Sequence, residues 1–229
     1  MTRRPGFRAA SLAVLLASGA LLAGCASAPT RFFTLDPVGP AQPLAAAYAG
    51  PPVKVLAVNI PPALDREELV SENMPGEVRV HDLEHWEAPL GLTARQVLVQ
   101  DLAGRLPAGA VLGPASPGGD GVATLSIDIV SFRAGPDGAQ MQASWNAALP
   151  AASGPLVFRS PLMTLRGPGA PLDGAATAQA FSFLLGQISD QIAAVLPTQV
   201  QALAAARALA TPRAQTSTQT TQTRSTRQF

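Results

Sequence analysis

The sequence predicts an α+β fold in a single domain: a mixed or antiparallel sheet that ends in a three-strand meander, packed against two main helices. Three patterns predict it. Leu125, Ile127 and Ile129 alternate with Ser126 and Asp128, the chain turns at Gly135-Pro136-Asp137-Gly138, and Met141, Ala143, Trp145, Ala147 and Leu149 then alternate with polar residues. Period two with one apolar face is the mark of antiparallel strands buried on one side. Leu98, Leu102 and Leu106 recur at i+4, and a longer stripe of Ala178, Phe181, Leu185, Ile188, Ile192 and Val195 advances by threes and fours. That spacing is the period of a helix with a single buried stripe.

The chain begins with a segment of a different kind. Arg3, Arg4 and Arg8 precede an apolar run over 12–22 broken only by Ser18 and Gly19, which reads as a signal peptide over 1–24. The run is too short for a bilayer, which takes about 20 apolar residues. It closes on Leu22-Ala23-Gly24-Cys25, which resembles the lipobox of bacterial lipoproteins, and Cys25 is the sole cysteine. A lone thiol forms no internal disulfide, and small neighbours leave it open to lipidation. The resemblance implies that Cys25 becomes the lipid-attached first residue, carrying acyl chains of the palmitate type, and several chains hold firmly where one holds weakly. Ala26, rather than Asp, follows it, which resembles the pattern sent on to the outer membrane.

Residues 25–30 form a short tether, and the folded domain is expected over 31–199. Arg31-Phe32-Phe33-Thr34-Leu35 reads as a strand, and residues 37–52, with five prolines and two glycines, as a loop. A strand follows over 53–58, stopped near Pro61-Pro62. Residues 64–70 are open between a helical turn and a lead-in to a strand. After the turn Pro75-Gly76, residues 77–81 alternate as a strand. The first helix is expected over 92–106, with Thr93 and Gln96 resembling a capping box and Pro107 ending it. Residues 113–121 are a flexible loop. A third meander strand is expected over 156–165, with Pro161 marking an edge or bulge. The second helix is expected over 174–196, interrupted at Pro197, with an alanine-rich extension and a disordered Thr/Gln tail over 200–229.

Charge and motifs narrow the function. A net charge of +1, with Lys54 the only lysine, argues against nucleic acid. No nucleophile elbow, phosphate loop or dinucleotide fingerprint is present. His81-Asp82-Leu83-Glu84-His85 fits the inverted zinc-protease pattern and holds both histidines. Zinc chemistry there needs a helix to put the two rings on one face, whereas Val78 and Val80 lead in with strand periodicity. We therefore expect no catalytic residue, metal or cofactor, and rank a zinc hydrolase using His81, Glu84 and His85 as a remote alternative. Asp65, Glu67 and Glu68 beside Arg66 read as a solvated, self-paired surface.

The lipobox, the Phe32-Phe33-Thr34-Leu35 strand, the stretch from Val55 to Pro61, Leu64-Asp65-Arg66 with Leu69-Val70, and Trp86-Glu87-Ala88-Pro89-Leu90 before a helix together resemble the ABC-type transport auxiliary lipoproteins of the PqiC (YmbA) group. The resemblance covers roughly residues 22–197. Members typically carry Arg-Pro where this chain has Arg66-Glu67, so any contact made by that proline does not transfer. The resemblance implies a periplasmic lipoprotein, held at the outer membrane by Cys25, that serves an MCE-type lipid transport system and supports membrane integrity. Its partners would be an MCE-domain protein and an inner-membrane transport component, and a homo-oligomer is conceivable. Asp65, Arg66, Trp86, Pro89 and Leu90 are the candidate partner contacts. A periplasmic lipid-binding carrier is the alternative, and it would need an enclosed apolar cavity.

Overall fold

The computed structural model describes residues 28–41, 48–74, 76–169 and 173–210. Cys25 and the tail beyond 210 lie outside the described residues. Among the described residues, nine strands and two helices run in the order β1 (Arg31–Phe33), β2 (Val53–Asn59), β3 (Glu68–Met74), β4 (Glu77–Trp86), α1 (Leu90–Ala103), β5 (Val111–Leu112), β6 (Ala123–Gly135), β7 (Gly138–Leu149), β8 (Leu156–Arg159), β9 (Met163–Gly167) and α2 (Gly174–Ala210).

The strands form two sheets rather than the one expected. The larger has the order β5-β2-β6-β7-β8, with β9 also on β7, and the smaller is β1-β4-β3. β2 pairs in parallel with both β5 and β6, so the chain must cross over between them, and α1 lies in that crossover, as parallel pairing demands. The fold is α+β, with both helices against the sheets.

The central hairpin follows the alternation in the sequence. Along β7, Met141, Ala143, Trp145, Ala147 and Leu149 are all buried while their neighbours are half-exposed. Gly138 turns the hairpin at a φ of 135°, a value that side chains resist. On β6 the register shifts between Ile129 and Ser131. This bulge throws Val130 outward and returns Phe132 to the core, which a strict period of two could not place. The expected third meander strand is two short ones. Ser160 and Pro161 separate β8 from β9, and both pieces pair antiparallel with β7. Pro161 lacks the amide a ladder needs, so the strand breaks there rather than bulging.

The helices depart from expectation at their ends. α1 starts at Leu90 with Pro89 at the N-cap and no side-chain cap. Thr93 is inside the first turn and donates its hydroxyl to Pro89 O at 3.4 Å, so it is not the cap. Leu98, Leu102 and Leu106 are all buried, as the i+4 spacing requires. α2 runs for 37 residues and passes through Pro197 without ending. Leu196 and Val200 beside the proline are fully buried, so tertiary packing carries the helix across the missing hydrogen bond. Of the predicted stripe, only Val195 faces out, and Leu196 takes the inward position four residues after Ile192. Pro197→Ala should therefore stabilise the domain. An interior helical proline costs about 3 kcal/mol against alanine, and the stiffer unfolded chain returns about 1 kcal/mol of that. A calorimetric midpoint that fails to rise would refute this.

A buried ionic hub ties α1, α2 and the segment after β1 together. Arg105, only 3% exposed, donates from Nε to Asp190 Oδ1 at 2.7 Å. Its Nη1 donates to Val38 O and Asp101 O at 2.8 and 2.9 Å. Its Nη2 donates to Gly39 O and Gly186 O, each at 3.1 Å. Asp101 in turn accepts the Val38 amide at 2.7 Å and the Ser189 hydroxyl at 3.4 Å. Gly186 is required at this crossing, because a Cβ there would stand 2.8 Å from Val38 Cβ.

Burial pushes the Asp101 carboxyl up to about 6, against opposing pulls from the Val38 amide, Arg105 and Ser189. The folded state therefore holds this proton more tightly than the unfolded state, for which the ordinary value is 3.8. Its contribution to stability is full below about pH 4, is lost as pH rises toward about 6, and is flat above that. Asp101→Asn should remove that component of the slope. Denaturant unfolding of both proteins across this window checks it, and identical slopes would refute the assignment.

Candidate functional site

The candidate contacts converge where the small sheet meets the start of α1. β1 and β4 are parallel, with Phe32 opposite His85 and Phe33 opposite Trp86. Two backbone bonds extend this pairing: Trp86 N–H donates to Glu67 O at 2.7 Å, and Glu87 N–H donates to Phe33 O at 2.8 Å. The turn ahead of β3 is closed by Leu64 and Asp65 amides on Pro61 O at 2.8 and 3.0 Å. The undecided stretch over 64–70 is thus a turn followed by a strand, not a helix.

Between these backbone-locked edges lies an open groove of about 410 Å³, lined by Phe32 and His85, by Asp65, Arg66 and Glu67, and by Trp86, Glu87, Ala88 and Pro89. Asp65, Arg66 and Pro89 stand exposed on its rim. Arg66 Nε sits 2.8 Å from Glu68 Oε2 with both side chains open to solvent, and Arg66 holds the Glu68 carboxyl below its ordinary value. Phe32 is 66% exposed and meets His85 edge-on at 5.8 Å.

Two of the five candidates lie deeper than a direct contact requires. Leu90 is 2% exposed. As the first residue of α1 it packs inward, so it supports the rim without facing a partner. Trp86 is 8% exposed and stacks edge-on against Phe181 at 6.3 Å, which in turn meets Phe132 at 4.6 Å. Its indole forms the floor of the groove and fastens that floor to the core. Phe32 and His85 also line the groove and were not singled out from the sequence as contacts.

The His81 to His85 motif lies entirely on β4, not on a helix. Asp82, Leu83 and Glu84 form a bulge: Glu68 faces His85 and Leu69 faces His81, leaving those three without partners on β3. The two rings have separate partners: His85 Nε2 lies 3.0 Å from the Asp82 carbonyl oxygen, while His81 meets Ser71 and Glu84. His81 Nε2 is hydrogen-bonded with Ser71 Oγ at 2.8 Å, and Nδ1 lies 2.9 Å from Glu84 Oε2, an oxygen that has no hydrogen-bond partner among the described residues. Glu84 Oε1 accepts from Arg31 at 3.2 Å, completing a polar chain across all three strands of the small sheet. Among the described residues, no group of three metal-ligating side chains converges.

The fold and this groove define an α+β domain with an open cleft where its minor sheet meets the start of α1. The model of the ABC-type transport auxiliary lipoprotein component matches residues 33–193, and the chain belongs to that family. Two crystal structures share the fold. One is of an uncharacterized protein, at 18% identity and a TM-score of 0.52, covering 76% of this chain and 99% of that one. The other is of a Xanthomonas campestris protein from a domain family of unknown function, at 18% identity and a TM-score of 0.55, covering 75% of this chain and 97% of that one. Comparison with curated proteins finds no significant match. Membership places the chain among membrane-anchored envelope lipoproteins associated with ABC-type transport.

Proposed function

We propose that this protein is a non-enzymatic docking subunit of an MCE-type lipid transport system. Acyl chains on Cys25 hold it at the periplasmic face of the outer membrane, and the groove receives the MCE-domain protein that reaches across from the inner-membrane component. The observation that carries this reading is the rim itself: Asp65, Arg66 and Pro89, drawn from two separate segments, stand exposed around a Trp86 floor that is anchored to the core. Such a surface offers a partner loop an aromatic base and a charged edge without requiring the domain to rearrange. Tethering raises the local concentration of the domain, so a contact that is weak in solution suffices. The groove is open rather than enclosed, which favours docking over carriage of a lipid in a closed cavity.

A photo-crosslinking residue at position 66 or 89, followed by mass spectrometry on native membranes, should trap an MCE-domain or ABC transport component. Arg66→Glu should cut the yield at position 89 at least several-fold, since reversing a rim charge slows association. Recovery of no transport component from either position would overturn the proposal. Deletion of the protein should sensitise cells to membrane-perturbing agents.

A further inference from the structure

Covalent reach decides which face of this domain meets the membrane. The inference rests on acylation of Cys25, the reading given above. Only Ala26 and Ser27 separate Cys25 from Ala28, and three Cα steps span at most about 11 Å. Ala28 and Pro29 line a second open cleft, of about 480 Å³, whose other walls include Arg31, Arg79, Asp82, Leu83 and Asp173. This cleft therefore begins within about 11 Å of the anchored residue.

Its chemistry fits a headgroup layer. Arg31 is occupied by Glu84 at 3.2 Å, and Asp173 caps α2 by accepting the Ala176 amide at 2.9 Å. Arg79 and Asp82, one cation and one anion, are both exposed on β4, with His81 and Glu84 on the same wall and Asp82 also within electrostatic reach of Arg66. Leu83 beside them is 45% exposed. We propose that this cleft seats the headgroup of a zwitterionic phospholipid from the leaflet that holds the anchor, with Arg79 on the phosphate, Asp82 on the ammonium and Leu83 dipping toward the acyl chains. The paired signs select a neutral headgroup, because Asp82 would repel an anionic one. Arginine suits phosphate by its fork of donors, and an apolar side chain at the boundary of headgroups and chains gains from burial.

The test uses the full, acylated protein in cells labelled with radioactive phosphate and radioactive palmitate, carrying a photo-crosslinking residue at position 83 or, as control, at exposed Val157 on β8. Position 83 should yield a phospholipid adduct at least fivefold above position 157, dominated by the zwitterionic class. Arg79→Glu should reduce that adduct several-fold with palmitate incorporation unchanged. Equal labelling at the two positions, an adduct dominated by anionic phospholipid, or only protein adducts at position 83 would each overturn the proposal. With palmitate incorporated and no lipid adduct, the headgroup site fails while the anchor stands. With no palmitate incorporated, both fail together.

Discussion

Arg105→Ala is expected to cost about 3–5 kcal/mol, the range for breaking a buried ion pair by removing one partner, and to leave little of a domain whose whole stability is on the order of 5–15 kcal/mol. The guanidinium donates to five acceptors: the Asp190 carboxylate and four backbone carbonyls, those of Val38, Gly39, Asp101 and Gly186. Truncation takes this donor from all five, although Asp190 keeps the Ala41 amide at 3.4 Å, and a buried acceptor that loses a donor without regaining water is costly. Asp101, already pushed upward by burial, would lose its nearest cation at 3.8 Å and hold its proton still more tightly. The mutant should therefore be weakest at neutral pH and partly recover toward pH 5. Arg105→Lys keeps the charge but not the fork, so it should fall between the two. Arg66→Ala, which removes an exposed pair worth roughly 0–1 kcal/mol, is the matched control. Urea unfolding at pH 7 decides the matter, and an Arg105→Ala loss under about 1 kcal/mol would show that the hub is merely tolerated.

That hub was illegible in the sequence, and the reason is physical. Arg105 follows Leu102 and precedes Leu106, inside a stretch whose leucines mark the buried face. Charge is normally assigned to solvent, and nothing local announces that Asp190, 85 residues later, arrives to meet it. The hairpin was legible because alternation is a local property imposed by one buried face. The split into two sheets was not, since parallel pairing of β2 with β6 depends on a crossover that no short window contains. Pro197 misled because propensity describes an isolated helix, whereas Leu196 and Val200 pack into the core on either side of it.

The groove was half legible for a related reason. Asp65, Arg66, Trp86, Pro89 and Leu90 were singled out by resemblance, and the structure does bring their segments together. Which of them face outward depends on strand phase. Adjacent aromatics on a strand must point to opposite sides, so one of Phe32 and Phe33 had to be exposed, and pairing against β4 selects Phe32. Leu90 goes inward because it opens α1, a choice set by where the helix starts rather than by the residue's type. The His81 to His85 motif shows the reverse error: its spacing matches a metal site only if the backbone is helical, and β4 makes those residues links of a polar chain instead.

Exchange of Cys25 for serine should move the protein from the membrane to the periplasm with its fold intact, the largest change in location that any single substitution here can produce. Each buried methylene of an acyl chain contributes about 0.8 kcal/mol, so one chain binds reversibly and two or more bind firmly. Helix α2 has one stretch apolar enough by length and composition to be mistaken for a span, and only 22% of that stretch is buried, whereas its Ala178 to Leu196 stripe packs into the core. Because an uncleaved leader would itself hold the protein at the membrane, the variant should carry an ordinary small-x-small cleavage site in place of residues 22–25. This variant should show no palmitate incorporation, should unfold at the same urea midpoint as the acylated protein, and should fail to complement a deletion strain challenged with membrane-perturbing agents. The groove variant Arg66→Glu should fail to complement while remaining on the membrane, because it damages docking and not anchoring. If the leader-cleaved, unacylated protein still fractionates with membranes, or if it complements fully, the acyl anchor is not what places this domain.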